Sequence, residues 1–142
     1  MKIIKLDKKD ETLKEEAKIN ALKYNPFCFI RDDEVEVTYL IFDDENIIGG
    51  VDYSVVLDSA DILFIYINKE YQNKGFGKML LNSSVLELSK VGVESVFLEV
   101  DSTNEFALKL YKSCGFIKFN TRNCYYSNGH DAIMMKKTLE VE

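Results

Sequence analysis

The run Gln72-Asn73-Lys74-Gly75-Phe76-Gly77-Lys78 has the composition and the setting to hold an anion. It stands between a β-like segment, Asp61 to Asn68, and a helix-like one, Phe76 to Lys90. A glycine-rich turn lets backbone N–H groups converge, and the helix start adds unpaired donors and the positive end of its dipole. A glycine-lined helix cap without a ligand is the alternative reading. Two common phosphate motifs fit less well. The dinucleotide pattern lacks its third glycine because Leu80 stands there, and the P-loop needs glycine where Gln72 stands.

Other chemistries lack their residues. Cys28, Cys114 and Cys124 form neither an even disulfide set nor a closely spaced metal pair, and a single histidine, His130, supports neither a zinc site nor a Cys–His nucleophile pair. No metal is expected, the cysteines read as free thiols of a reducing compartment, and His130 reads as a loop residue. The formal charge of −6 opposes attraction to nucleic acid and favours a cationic or amine-bearing partner. With 46% hydrophobic and 30% charged residues and no long apolar run, the chain reads as one ordinary domain over 1–142, neither disordered nor membrane-spanning. The N-terminal residues break their apolar run with charge too soon for a signal-peptide core, so a cytoplasmic location is expected.

The elements that must position these residues follow from periodicity. Lys2 to Leu6 reads as a strand, and Asp10 to Tyr24 as a helix with Leu13, Ala17 and Ala21 on one stripe. Pro26 marks a loop. Val35 to Phe42 and Ile47 to Val56 form a hairpin around Asp43-Asp44-Glu45-Asn46, and Asp58-Ser59-Ala60-Asp61 turns into the strand before the glycine loop. The Phe76 helix buries Met79, Leu80, Val85, Leu86 and Leu88 and ends at Val91-Gly92. Glu94 to Val100 is then a strand parallel to its predecessor, because a helix-length crossover separates them. Asp101, Ser102 or Thr103 caps a second helix carrying Phe106, Ala107, Leu110 and Tyr111 and stopping at Gly115; Phe116 to Thr121 and Ala132 to Leu139 make a last hairpin. The order implies a mixed sheet with helices packed on it, an α/β or α+β layer architecture.

On these residues the chain resembles the GNAT N-acetyltransferase superfamily. Gln72-x-x-Gly75-x-Gly77 is similar to that superfamily's acyl-CoA pyrophosphate loop, and Leu98 to Asn104 followed by Ala107 to Phe116 looks like the second half of its cofactor site. The similarity runs nearly throughout from Val35 onward. A narrower resemblance is to the bacterial ribosomal-protein alanine N-acetyltransferases, carried by Arg122-Asn123-Cys124-Tyr125-Tyr126 and Asp131-Ala132-Ile133-Met134-Met135. Pro26-Phe27 resembles their proline-aromatic substrate loop. However, seven residues separate Phe27 from Val35, so the family's second N-terminal helix is expected to be short or absent. The fold implied is a mostly antiparallel mixed sheet with a central splayed parallel strand pair and helices on both faces.

The resemblance implies direct transfer of acetyl from acetyl-CoA to a primary amine in a ternary complex, releasing CoA, with a protein N-terminal α-amine as first acceptor. It makes Glu99 the general base and Tyr111 the general acid; the alternative is a solvated strand-end carboxylate and a core aromatic. The diphosphate is expected on backbone N–H groups between Asn73 and Lys78, with Gln72, Lys74, Gly75, Phe76 and Gly77 completing the loop. Main-chain groups of Ile65, Tyr66 and Ile67 and the side chain of Asn104 are expected on the cofactor arm. One of Tyr125 and Tyr126 lines the acceptor site, or both are ordinary β-rich aromatics. Glu34, Glu36 and Asp131 are further carboxylates able to attract an amine. An α-amine near pKa ~8 is about one-tenth neutral at pH 7, whereas lysine near ~10.4 is neutral only to a few parts in ten thousand, so a modest base suffices for the first. Competing readings are a small-molecule amine acetyltransferase (polyamine, amino sugar or amino acid) and a noncatalytic acyl-CoA-binding module. The expected assembly is a monomer or homodimer, with no nucleic-acid or membrane partner.

Overall fold

The alternation of residues along the second strand fixes where two apolar layers lie. The computed structural model describes residues 1–26, 28, 30 and 34–140. In that strand, β2 (Glu36–Asp43), Tyr39 and Ile41 enter one buried cluster while Leu40 and Phe42 enter another, as the two-residue period of a pleated strand requires. Helix α1 (Glu11–Tyr24) supplies Ala17 and Ala21 to the second cluster. Helix α2 (Phe76–Lys90) supplies Leu80, Leu81, Val85 and Leu88 to the first, and α3 (Glu105–Ser113) adds Tyr111. Helices therefore cover both faces.

Among the described residues the strands form one seven-stranded sheet. Its order is β1 (Lys2–Lys5), β2, β3 (Asn46–Val56), β4 (Ser59–Ile67), β5 (Ser95–Asp101), β7 (Ala132–Thr138) and β6 (Ile117–Arg122). Neighbours are antiparallel except β4 and β5, which run parallel as the α2 crossover requires. Those two strands pair only through Ser59↔Ser95, Ala60↔Val96 and Asp61↔Phe97. Beyond Asp61 they separate. The register of β3 on β4 jumps from Asp52↔Phe64 to Tyr53↔Ile62, leaving Leu63 as an extra residue in β4, and such a bulge bends the strand that carries it. The bend opens the gap between the upper halves of β4 and β5.

Several boundaries differ from expectation. β4 begins at Ser59 because the turn is the two-residue Leu57-Asp58, with Leu57 at φ 56°. On α2, Leu81 and Ser84 are buried while Met79 and Leu86 are exposed, which rotates the expected stripe. The cap of α3 is Asn104, whose side chain accepts from the Ala107 N–H. The expected proline-aromatic loop falls partly on Phe27, Phe29 and residues 31–33, outside the described residues; between Tyr24 and Glu36 the described residues contain no helix.

A buried carboxyl lies at the bulge. Asp52 has no exposed surface, accepts from the Thr38 hydroxyl at 2.6 Å and lies beside the Glu36 carboxyl. Burial, then Glu36, pushes Asp52 up to about 9 against the opposing pull of Thr38 and Lys8. Between the unfolded value of about 4 and this raised value the folded chain binds the extra proton, so stability falls as pH rises through that window. Asp52→Asn, neutral at every pH, is expected to flatten this slope. The stability of the variant relative to wild type should climb by a few kcal/mol between about pH 5 and pH 8; a pH-independent difference in urea unfolding would show that Asp52 is ionised in the fold.

Candidate functional site

The N-terminus of α2 is left bare where those of α1 and α3 are not. Asp10 and Asn104 cap α1 and α3 with side-chain oxygens, and Glu11 and Glu105 add negative charge to their first turns. By contrast α2 begins after Gly75, with no side-chain cap and no acid in its first turn. The first N–H groups of a helix have no partner within it, so a positive, donor-rich end faces outward here. Gly75 sits at φ 86° and Asn73 at φ 62°, the left-handed turn that sets this approach.

A cleft of roughly 500 Å³ opens on that helix end. Ile65, Tyr66 and Ile67 from the separated half of β4 form one wall, and Asn104, Phe106, Ala107, Lys109, Leu110 and Tyr111 around α3 form the other. Gln72, Asn73, Gly75, Phe76, Gly77 and Lys78 make the floor. Lys78 and Lys109 line it and, among the described residues, no Asp or Glu does, in a protein of net charge −6. An elongated anion with an apolar stretch fits this lining: phosphates at the bare helix end, and an amide-bearing arm along the β4 edge that has no strand partner among the described residues.

All the expected loop and arm residues line the cleft except Lys74, whose ammonium lies 5.9 Å from the Tyr71 ring centroid. Gln72 is partly committed. Its amide nitrogen donates to the Ile67 carbonyl at 2.9 Å and to the Tyr24 hydroxyl at 2.7 Å, tying the loop to the end of β4 and to α1. Asn104 keeps its amide nitrogen for a ligand, since its oxygen caps α3. Tyr66 is anchored from the far side by its hydroxyl on Asn20 at 2.6 Å. Phe106, one of the apolar residues expected on this helix, is exposed and lines the cleft, one turn below Leu110. Tyr24, Tyr71, Lys109 and Ser113 also line it and carried no signal beyond their positions on helices.

Tyr111 and Glu99 lie on opposite faces. Tyr111 is buried at the cleft's inner wall with Leu98 and Val100 in the same cluster; its hydroxyl makes no hydrogen bond among the described residues. Burial, with a smaller contribution from Cys114, pushes its phenol up to about 12. Glu99 alternates with Leu98 and Val100 and so points the other way, exposed, with its carboxylate 3.6 Å from the Arg122 guanidinium. Arg122 lies 5.3 Å from the Tyr125 ring centroid, and Tyr125 meets Tyr126 edge-on at 5.3 Å. Tyr126 is the half-buried member of the pair; burial, then the carboxylates of Glu99 and Asp101, push its phenol up. Glu99, Tyr125 and Tyr126 thus share the face behind the cleft, opposite the one that carries Tyr111.

Gly77 is helical rather than in an unusual turn, so its missing side chain matters for space. A Cβ there would stand 3.7 Å from Leu110 and 3.8 Å from Ile67, on the cleft floor. Gly77→Val is expected to keep the fold by circular dichroism and to weaken acetyl-CoA binding on the order of tenfold or more, because its methyl groups fill that floor. Unchanged affinity by calorimetry would remove the diphosphate placement.

The profile of the acetyltransferase (GNAT) family matches residues 3–116. The [ribosomal protein bS18]-alanine N-acetyltransferase of Salmonella typhimurium is 42% identical over 84 residues, a match covering 57% of this chain and 57% of that protein. The chain thus spans little more than half the length of this curated relative. The crystal structure of the ribosomal-protein-S18-alanine N-acetyltransferase from Escherichia coli superposes with TM-score 0.84 at 27% identity, over 99% of this chain and 95% of that one. An aminoglycoside 6'-N-acetyltransferase complexed with coenzyme A superposes with TM-score 0.80 over 97% of each chain at 13% identity, a likeness of fold alone. Matched by that profile over most of its length, the chain belongs to the GNAT acetyltransferase family.

Proposed function

We propose that this protein is an acetyl-CoA-dependent N-acetyltransferase whose first acceptor is a protein N-terminal α-amine. The observation that carries this is the cleft: lysine-bearing, free of carboxylate among the described residues, floored by a bare helix end, and set beside the strands β4 and β5 that part beyond Asp61, with Glu99 on the opposite face of β5. Bound there, acetyl-CoA supplies a thioester carbonyl and a thiolate leaving group. The α2 N–H groups and Lys78 hold the phosphates, and the unpaired edge of β4 aligns the arm so that its end reaches the gap. Glu99, directly or through a water, accepts the proton of the amine as the N–C bond forms. Tyr111 gives its proton to sulfur as the C–S bond breaks. The two groups approach from opposite faces, which favours direct transfer; Cys114 is buried with its thiol pushed up by burial, a poor nucleophile.

Tyr125 and Tyr126 beside Glu99, together with the names of the bS18-alanine relatives, support a peptide acceptor. A small primary amine is the second reading, favoured by the short stretch between α1 and β2, which leaves few residues to build a peptide groove. Among the described residues no helix is long and apolar enough to cross a membrane, and with free thiols a cytoplasmic setting fits. The deciding experiment pairs N-terminal peptides, polyamines and aminoglycosides with acetyl-CoA. Turnover of alanine- or serine-starting peptides is expected. Strong turnover of small amines alone would move the assignment to the second reading, and tight CoA binding without turnover would make the protein a cofactor-binding module.

A further inference from the structure

We propose that Asp101 and His130 are positioning residues for the acceptor: through them the end of β5 latches the loop 123–131 so that Tyr126 is held beside Glu99. The proposal rests on the N-acetyltransferase reading of the site. Asp101 lies two residues after Glu99 and therefore on the same face of β5. One of its carboxylate oxygens accepts the Thr103 N–H at 2.9 Å and the Thr103 hydroxyl at 2.8 Å; the other accepts His130 Nδ1 at 3.0 Å and Asn128 Nδ2 at 3.4 Å. These donors, the Thr103 N–H foremost, hold Asp101 well below the usual carboxylate range, so it is an acceptor at every working pH.

Proton accounting fixes the histidine. A carboxylate only accepts, and the Thr103 hydroxyl has spent its proton on Asp101, so Nδ1 of His130 carries the hydrogen in either charge state. His130 in turn holds Tyr126. The Tyr126 N–H donates to the His130 carbonyl at 3.2 Å, the Gly129 N–H to the Tyr126 carbonyl at 2.9 Å, and the His130 N–H to Asn128 Oδ1 at 2.9 Å. Asp131 adds a second tie, accepting the Cys124 N–H on its side chain and the Ser102 N–H on its carbonyl. A nine-residue loop is thereby closed on itself and fastened to the end of the strand that carries Glu99, and the Tyr126 N–H is tied to Asp101 through His130. A loop that forms a binding wall needs such a fastening to keep its side chains in register with the base.

Three measurements test this. In wild type above the imidazole pKa, the nitrogen spectrum of the chain's single histidine is expected to show the Nδ1–H tautomer; the Nε2–H form would overturn the latch. His130→Ala is expected to speed hydrogen exchange at the Tyr126 amide and raise the KM for an N-terminal peptide, each about tenfold, with kcat and acetyl-CoA affinity within about twofold. His130→Asn, whose amide places a donor near the Nδ1 position, is expected to restore both. An unchanged peptide KM in folded His130→Ala, or a parallel loss of acetyl-CoA affinity, would overturn the positioning role. If wild type transfers acetyl to no amine, the acetyltransferase reading falls, and the latch is then judged by tautomer and exchange alone: unchanged Tyr126 exchange in His130→Ala overturns it.

Discussion

Tyr111→Phe is expected to lower the rate of the chemical step on the order of 10², with acetyl-CoA affinity near that of wild type. The ring that packs on Phe116 at 5.9 Å is retained, and the hydroxyl leaves no partner stranded because it has none among the described residues. Stability should therefore change little. Burial holds the phenol protonated to about pH 12, so its proton is present throughout the neutral range and no descending limb of the rate profile near pH 9 belongs to it. A phenol so raised is a weak acid beside a thiol of about 8.5 in water, but the same burial acts on a thiolate formed in the same cleft, and the difference between the two governs the transfer. A more acidic thiol as leaving group should shrink the defect, because it needs less protonation. Single-turnover rates that show no defect, or an equal defect for good and poor leaving groups, would assign the ring to packing or substrate positioning.

The parts of this fold that were legible in the sequence are those with a local cause. Gly75, Gly92 and Gly115 stand at φ 86°, 98° and 90°, the conformations that start α2, end α2 and end α3, and glycine is the residue that adopts them without strain. The α2 span was therefore readable to the residue. The cap of α3 was not, because Asp101, Ser102, Thr103 and Asn104 are all good caps, and the choice among them is made by Asp101 and Thr103 being drawn into the contact with His130. Periodicity on α3 could not separate Phe106, which lines the cleft, from Tyr111, which is buried, because an apolar stripe looks the same for core and cleft. The bulge at Leu63 and the Asp101–His130 pair, 29 residues apart, have no local signature; they exist only once the strands are in register. Asp52 did leave a trace, a lone carboxylate inside a β-rich apolar run, which asks for a buried partner.

Glu99→Gln is expected to lower turnover on the order of 10² or more at about pH 6 to 7, with acetyl-CoA affinity unchanged, because the amide keeps the shape of the side chain and cannot take a proton. Its place on the face behind the cleft separates it from the cofactor floor. The Arg122 contact that the substitution removes is an exposed ion pair, worth little to stability, and Arg122 keeps its seat over Tyr125. In the proposed reaction an arriving ammonium would compete with that guanidinium for the same carboxylate, coupling acceptor binding to release of the base. The pH dependence separates base catalysis from simple attraction. As pH rises from about 6 to about 9, an α-amine of pKa ~8 passes from largely charged to largely neutral on its own, so the variant's defect should narrow with an N-terminal peptide. With a lysine-like amine of pKa ~10.4 the defect should persist across the same range. A carboxylate that merely attracted cations would instead produce a KM effect with kcat preserved. Single-turnover rates equal to wild type from about pH 6 to about pH 9 would show that Glu99 is not the base.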